Sequence, residues 1–155
     1  MKKTNAMRLL DVEEIGYNII EYEIEDGKVD GVSVTKKIGK EYREVYKTLV
    51  TKGEREIYVF VIPVKEHLDL KKAAQETSEK KIEFIDVNDI LKKTGYVRGG
   101  CSPIGMKKEY RTYIQEDALD LESFIVSGGK VGSQIEMKPE DLSKIVDAKF
   151  VDIIE

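Results

Sequence analysis

The sequence predicts a mixed α/β fold: a single domain over residues 1–155, in which helices surround a mixed, largely antiparallel β-sheet core. Stretches with the apolar spacing of helices are interspersed irregularly with β-branched and aromatic runs, whereas a doubly wound parallel sheet would alternate regularly. Of the 155 residues, 41% are hydrophobic, which suffices for one core, and the chain has no internal repeat and no linker-like stretch. One compact domain is therefore expected.

The first half of the chain is predicted to begin with a helix and to end in a β-hairpin. Two runs rich in β-branched and aromatic residues flank the turn signal Lys52-Gly53-Glu54, and Gly39 marks the end of a short helix. The predicted elements are helices at 6–15 and 32–38, a strand at 17–24, and hairpin strands at 45–51 and 56–63.

The second half alternates short helices with strands. Ala73 and Ala74 favour a helix, Gly95 closes another, and Pro139 suits the first turn of a third. The predicted elements are helices at 68–76, 87–93 and 139–146, and strands at 82–85, 109–114, 122–126, 134–137 and 150–154.

Composition excludes several classes of protein. A net charge of −4 argues against a protein that coats nucleic acid unspecifically, and no apolar run approaches the roughly 20 residues of a membrane span. The acids near the amino end do not fit a signal peptide, so a cytoplasmic protein without membrane contact is expected. Cys101 and His67 are the sole cysteine and histidine, so we expect no disulfide, no conventional metal site and no cofactor.

The most distinctive stretch is residues 95–108, GYVRGGCSPIGMKK, which holds four glycines and three basic residues. Glycines let a ligand approach the backbone, whose N–H groups can face an anion or a polarised oxygen. A second glycine loop is predicted at 127–132, SGGKVG. Six basic residues and one acid lie between Lys92 and Arg111, which is either a solvated face or a phosphate-binding patch. Coincidence with the glycines favours binding.

Lys47 is the second candidate. It lies in a predicted strand whose two alternating sets, Val45 with Leu49 and Tyr46 with Val50, are both apolar enough to be buried. An ammonium is costly to bury, so the lysine either reaches the edge of the sheet or serves a pocket. In a pocket it would hold a phosphate or carbonyl oxygen, or act as a base if desolvation lowers its pKa.

Other candidates for chemistry are weaker. Cys101 lies in a glycine loop beside basic residues, but His67, its one potential histidine base, belongs to another segment, so an inert cysteine is the better interpretation. Tyr22 either packs in the core or presents its hydroxyl to a pocket, and Ser127 either binds a ligand or shapes a turn. Neither a Walker phosphate loop nor a dinucleotide fingerprint is present, so ATP hydrolysis and hydride transfer are unsupported.

Taken in order, four segments of the chain resemble the YbaK/EbsC family of aminoacyl-tRNA deacylases, and most closely its Cys-tRNA(Pro) deacylases. These segments are VYKTL at 45–49, DLKKAA at 69–74, TGYVRGGCSPIGMKK at 94–108 and VSGGK at 126–130. The resemblance implies the fold of the editing domain found in bacterial prolyl-tRNA synthetases. It also implies hydrolysis of the ester that joins a wrong amino acid, chiefly cysteine, to the terminal adenosine of tRNA(Pro).

The resemblance assigns roles to individual residues. Lys47 matches the functional lysine, and Gly99 and Gly100 match glycines that line the aminoacyl pocket; these three are the predicted catalytic positions. Backbone N–H groups around 99–102 would stabilise the oxyanion, while the cysteine substrate's own thiol attacks its ester carbonyl. The predicted substrate-binding residues are Tyr22, Thr48, Cys101, Ser102, Ser127, Gly128 and Gly129. The predicted tRNA-binding residues are Arg98, Lys107, Lys108 and Lys130.

Two departures from the family pattern bear on specificity. Val131 follows the SGGK motif where a basic residue is often found, and the segment at 29–39 offers only a short helix as a lid over the pocket. Alanine in place of cysteine, Cys-tRNA(Cys) as a substrate, a module that binds a tRNA end or nucleotide without hydrolysis, and a plain interaction domain stay open. The partner expected is mischarged tRNA(Pro), with prolyl-tRNA synthetase as a source of tRNA selectivity because so acidic a chain contacts few phosphates.

Overall fold

A computed structural model describes residues 2–155, which form two β-sheets and five α-helices. The larger sheet has the strand order β4-β2-β3-β5-β8 and the smaller sheet the order β1-β7-β6. The strands are β1 (Asn18–Glu21), β2 (Tyr46–Lys52), β3 (Ile57–Pro63), β4 (Glu83–Phe84), β5 (Arg111–Gln115), β6 (Phe124–Lys130), β7 (Ser133–Met137) and β8 (Lys149–Val151). The helices are α1 (Asn5–Val12), α2 (Gly31–Lys37), α3 (Leu70–Thr77), α4 (Ile90–Thr94) and α5 (Pro139–Val146).

Pairing within the larger sheet confirms the mixed α/β class. β2 and β3 form the predicted antiparallel hairpin, and β4 adds to β2 antiparallel. β3, β5 and β8 are parallel neighbours, while all pairs in the smaller sheet are antiparallel. The division into two sheets was not predicted. The sheets meet where Val45, just before β2, bridges Ile125 of β6.

Both faces of the larger sheet are buried. One face packs against α1, α5 and the smaller sheet through a cluster that includes Met7, Phe124 and Leu142. The other face packs against α3 through a cluster around Phe60, whose ring stacks on Tyr113 at a centroid distance of 5.4 Å. Burial on both sides explains why β3 is a continuous apolar run rather than an alternating one.

Several predicted boundaries needed correction. The first helix ends at Val12 rather than at residue 15, and the first strand covers only Asn18–Glu21. The helix predicted at 87–93 is a 3₁₀ turn, Val87–Asp89, followed by α4, and the last strand is Lys149–Val151 rather than 150–154. Helix ends depend on local capping: Thr4 caps α1 and Asp69 caps α3 through side-chain acceptors, and Pro139 opens α5 as predicted.

The predicted extent of the second glycine loop, residues 127–132, was wrong. β6 continues through Ser127 to Lys130, with an irregular register between these two residues, and the turn to β7 is confined to Val131 and Gly132. The sequence Gly128-Gly129 supports the bulge because Gly129 has a φ of +102°, which L side chains rarely adopt. None of the helices within residues 2–155 is long and apolar enough to cross a membrane.

Candidate functional site

A half-open cavity of about 550 Å³ lies where the two sheets meet. Its walls come from the start of β2, the middle of β6, the glycine segment at 95–108 and the segment that leads into α2. Six of the predicted site residues line it, namely Lys47, Thr48, Arg98, Gly99, Cys101 and Ser127. The cavity therefore brings together three parts of the sequence that were identified separately: the strand around Lys47, the glycine segment and the SGGK motif.

Lys47 is half-buried in the cavity wall, which distinguishes it from an ordinary edge-strand lysine. Burial lowers the pKa of its ammonium, an effect that the charge of Glu66 partly opposes. Within residues 2–155, Lys47 forms neither an ion pair nor a side-chain hydrogen bond. A partly desolvated cation without a protein partner is well suited to an anionic or polarised oxygen of a ligand.

Gly99 and Gly100 have different environments. Gly99 lines the cavity with a φ of +87°, and a Cβ built there would lie 3.2 Å from Val29 Cγ2. Gly100 is buried outside the cavity lining, its N–H donates to Val97 O, and a Cβ there would lie 2.7 Å from the backbone of Lys130 and Val131. Gly100 thus allows the loop to pack on the β6–β7 turn and lies outside the cavity lining, while its predicted catalytic role stays a prediction.

The backbone N–H groups predicted to stabilise an oxyanion are only partly available. The amide of Gly100 is used within the loop, while Gly99 and Cys101, which both line the cavity, donate no backbone–backbone hydrogen bond within residues 2–155. Ser102 is fully buried outside the lining, where its Oγ accepts the N–H of Ile104. The backbone N–H groups that remain available to a ligand in the cavity are therefore those of Gly99 and Cys101.

The second motif contributes Ser127 alone to the lining. Gly128 and Gly129 lie on the opposite side of β6, where the carbonyl oxygen of Gly128 accepts a hydrogen bond from Thr4. A Cβ on Gly129 would lie 3.1 Å from Thr4 Cβ and from the ring of Tyr96. Both glycines, predicted to bind substrate, are small because α1 and Tyr96 pack against them.

Tyr22 also lies outside the lining. Its backbone N–H donates to Gly132 O, which joins the end of β1 to the β6–β7 turn. The ring is half-buried, with Lys37 Nζ 5.8 Å from its centroid. The hydroxyl is buried without a hydrogen-bond partner in residues 2–155, as is that of Thr48, which does line the cavity.

The cavity contains no nucleophile paired with a base. Burial raises the pKa of the Cys101 thiol to about 11, and its hydrogen-bond partner is Thr94 Oγ1, 3.9 Å away. His67 is exposed and outside the cavity. Asp30, the carboxylate of the lining, caps α2 by accepting the N–H of Ser33, and hydrogen bonding from Ser33, first from its side chain and then from its N–H, lowers the pKa of Asp30. These groups are poor candidates for covalent attack, which agrees with the prediction for Cys101.

The predicted tRNA-binding residues are separated. Arg98 lines the cavity, whereas Lys107 and Lys108 line a second, basic groove of about 530 Å³, and Lys130 lines neither. The basic patch predicted as one feature of the glycine segment is therefore divided between two sites. Their roles toward a ligand stay predictions.

Sequence reasoning missed part of the wall. Val29, Asp30, Gly31 and Val34 line the cavity from the segment around the start of α2, and Gln134 of β7 adds a side-chain amide. An Asp before a short apolar helix is a recognisable N-cap signal, but it does not reveal which surface the helix covers. Gln134 carries no signal because its position depends on the pairing of β6 with β7.

Lys37 fixes the lid, which is the segment that leads into α2 and carries Val29 and Asp30. Its Nζ donates to the carbonyl oxygens of Glu23 and Lys28 at 2.6 and 2.8 Å and pairs with Asp26 at 2.7 Å. The Lys37 side chain is only 18% exposed, whereas Asp26 is 48% exposed, so the lysine is held at the protein surface by partners that water also reaches. One side chain therefore closes the loop that carries Val29 and Asp30 into the wall.

In fold and site, the molecule is a mixed α/β domain with a cavity of apolar and polar side chains, in which Lys47 and free backbone N–H groups can hold a ligand's oxygen atoms. Two solved structures share that fold across nearly their whole lengths. One, described as "a putative trans-editing enzyme for prolyl tRNA synthetase", is 23% identical with a TM-score of 0.84, covering 100% of this chain and 99% of the other. The other, hypothetical protein APE2540, is 17% identical with a TM-score of 0.89, covering 98% and 100%.

The chain belongs to the aminoacyl-tRNA editing domain family, whose model matches residues 30–145. It is 41% identical over 153 residues to the Enterococcus faecalis protein named "Putative Cys-tRNA(Pro)/Cys-tRNA(Cys) deacylase EbsC", covering 98% of this chain and 93% of that protein. The matched residues include every cavity-lining position from Asp30 to Gln134. The family acts on mischarged tRNA, and the resemblance to deacylases of the YbaK/EbsC type is confirmed.

Proposed function

We propose that this chain removes cysteine from mischarged tRNA(Pro) by cleaving the ester between the amino acid and the terminal adenosine. The observation that carries the proposal is a cavity with a partnerless cation, Lys47, and free backbone donors at Gly99 and Cys101, but no nucleophile–base pair. Such a site orients a reactant and stabilises charge rather than attacking covalently. The family and the name of the E. faecalis relative support the same substrate class.

The reaction that suits this cavity uses the substrate's own thiol. The cysteine sulfur attacks its ester carbonyl, a C–S bond forms, the C–O bond to the ribose breaks, and the thiol proton ends on the released 3′ oxygen. The cyclic thioester product is then opened by water to free cysteine. The protein holds the ester carbonyl near the amides of Gly99 and Cys101, where negative charge develops in the transition state.

Lys47 and Ser127 have complementary roles in the proposal. Lys47 holds an oxygen of the terminal adenosine phosphate or of the aminoacyl group, because its ammonium is charged, half-buried and without a protein partner. Ser127 faces the cavity from β6, where its hydroxyl can bond to the ribose or the amino acid. The apolar side chains Val29, Val34 and Val64 surround the small amino acid.

The tRNA selectivity of the reaction is assigned to prolyl-tRNA synthetase. A chain with net charge −4 attracts the polyanion weakly as a whole, and the aminoacyl cavity reaches only the end of a tRNA. A synthetase that has just released its tRNA would supply the selection for tRNA(Pro), which this cavity cannot recognise by itself.

The proposal is tested by release of labelled cysteine, alanine and proline from separately charged tRNA(Pro). Wild type is compared with Lys47→Ala and with Lys52→Ala, a control on the exposed end of the same strand. Loss of a preorganised charge contact predicts a fall of about 10²- to 10³-fold in cysteine release for Lys47→Ala and little change for Lys52→Ala.

Two further results separate the alternatives. Serine esterified to the same tRNA lacks the thiol but keeps the shape, so slow serine release supports the substrate-assisted route. Faster alanine than cysteine release moves the specificity and contradicts the thiol step. Binding of tRNA without any release would instead support a module that holds the tRNA end.

A further inference from the structure

The second cavity is a basic groove on the outer side of the glycine segment. Its volume is about 530 Å³, similar to that of the aminoacyl cavity. It is lined by Arg55, Glu56, Ile57, Lys92, Lys93, Lys107, Lys108, Glu109, Tyr110 and Arg111. Six basic and two acidic residues give this groove a net charge of +4, so the remaining residues of the chain carry −8. The groove is thus positively charged, whereas the rest of the molecule is negatively charged.

Among the described residues, the groove cations form no ion pairs, although Glu56 and Glu109 lie in the same groove. Lys3, Lys37 and Lys72 each pair with an aspartate, whereas none of the six groove cations pairs with a carboxylate within 4.0 Å among residues 2–155. Placing several like charges together without counter-charges is unfavourable for the isolated protein. An external polyanion would relieve that repulsion.

Hydrogen bonds fix the groove between three parts of the fold. Tyr110 Oη donates to Lys93 O at 2.6 Å, and Lys107 N donates to Thr94 O at 3.0 Å. These bonds hold the C-terminal end of α4, with its adjacent lysines, against the segment that leads into β5. The turn between β2 and β3 supplies the third side through Arg55. The cations are thus arranged on a defined surface rather than on a flexible tail.

The groove and the aminoacyl cavity are supplied by one continuous segment. Arg98, Gly99 and Cys101 line the cavity, and the groove begins at Lys107 in the same glycine segment. The nine residues from Arg98 to Lys107 span at most about 30 Å when fully extended, and the folded loop spans less. A nucleic acid whose 3′ end enters the cavity has backbone phosphates within that distance.

We propose that this groove binds backbone phosphates of the RNA whose charged end enters the aminoacyl cavity, and so adds affinity without reading sequence. The inference rests on the proposed function, because an RNA substrate is what places phosphates beside the cavity. Exposed lysines and arginines that contact phosphates position a nucleic acid but carry no base information. The groove therefore complements selectivity that comes from elsewhere.

The test compares Lys107→Gln/Lys108→Gln with Lys71→Gln/Lys80→Gln, a control pair that removes the same charge from exposed positions outside both cavities. Affinity for uncharged tRNA is measured by fluorescence anisotropy between 0.05 and 0.3 M salt, concentrations that keep phosphate contacts measurable. Thermal denaturation checks that both variants are folded.

The groove variant should bind tRNA roughly 50-fold more weakly at 0.1 M salt, because each lost contact removes about 0.9 from the slope of log K against log salt. This factor assumes that salt near 1 M screens out the phosphate contacts completely, so that the two variants bind equally there. The slope itself should become shallower by about 2. Unchanged affinity and slope, or an equal loss in the control pair, would overturn the proposal.

A second substrate separates this inference from the proposed function. Cysteine esterified to adenosine alone fits the aminoacyl cavity but has no backbone to reach the groove, so the groove variant should cleave it as fast as wild type. Full-length Cys-tRNA should show a raised KM with little change in kcat. If wild type hydrolyses neither substrate, the proposed function is wrong. The anisotropy measurement would still show whether the groove binds tRNA.

Discussion

Replacing Gly100 by alanine tests whether this glycine lines the pocket or packs the loop. An alanine Cβ would lie 2.7 Å from the carbonyl carbon of Lys130 and from the nitrogen of Val131, and 2.8 Å from Lys130 Cα. All three are backbone atoms of the β6–β7 turn, so no side-chain rotation relieves the contact. Gly100 has no positive φ, so crowding alone opposes the substitution.

The size of the effect follows from these distances. Ordinary contact begins near 3.4 Å, so the loop and the turn must separate by about 0.7 Å. Overpacking of this kind costs about 1 to 3 kcal/mol of unfolding free energy. At about 2–4 °C per kcal/mol for a chain of this length, Tm falls by about 2 to 12 °C. Gly16→Ala, where no atom lies within 4 Å, is the control for the general effect of alanine on the unfolded chain.

The assay combines thermal denaturation with kinetics of cysteine release. Because the displaced loop carries Gly99 and Cys101 in the cavity wall, kcat should fall up to about 10²-fold, as expected for a shift approaching 1 Å. If Gly100→Ala matches Gly16→Ala in Tm and wild type in kcat, the packing role is wrong.

Three further predictions concern single side chains. Lys37→Met should cost roughly 2 kcal/mol by removing charged hydrogen bonds from the lid, and limited proteolysis should cut between Glu23 and Lys28 faster than in wild type; equal rates would contradict the role given to Lys37. Cys101→Ser should keep deacylase activity, and because the thiol pKa is about 11, only about one thiolate in 10³ at pH 8 is available for alkylation by iodoacetamide; rapid alkylation would refute this. Lys47→Met should lower activity as much as Lys47→Ala does, yet raise Tm at pH 7. Burial lowers the folded-state pKa of Lys47, so the unfolded chain binds the proton more tightly and stability rises with pH between the folded-state pKa and 10.5; the Tm difference should narrow over that window, and a constant difference would exclude desolvation as its cause.

Local signals predicted the elements well where one pattern dominates. The hairpin of β2 and β3, helix α3 with Ala73 and Ala74, and helix α5 with Pro139 all follow from periodicity, turn residues and caps. The parallel pairing of β3 with β5 and β8, and the separate sheet of β1, β7 and β6, depend on contacts between distant segments. No local pattern encodes those contacts.

Six of the fourteen predicted site residues line the cavity, and the roles of all fourteen stay predictions. Lys47 was recognisable because a lysine is out of place in a strand buried on both faces, and the cavity does contain it. Sequence cannot distinguish a glycine that faces the cavity, such as Gly99, from glycines that face a helix or a turn, such as Gly100 and Gly128. In either environment the chain needs a residue without a side chain, and only the tertiary structure shows what occupies the space beside it.

Thr4 links the first helix to the cavity from behind. Its hydroxyl accepts the N–H of Met7, which caps α1, and donates to the carbonyl of Gly128, one residue beyond Ser127. Opening of the first turn of α1 would therefore remove a hydrogen bond that supports β6 beside Ser127, so unfolding of the helix end and distortion of this cavity wall are linked. Hydrogen exchange at the amide of Met7 would then report how often this support behind the cavity wall opens.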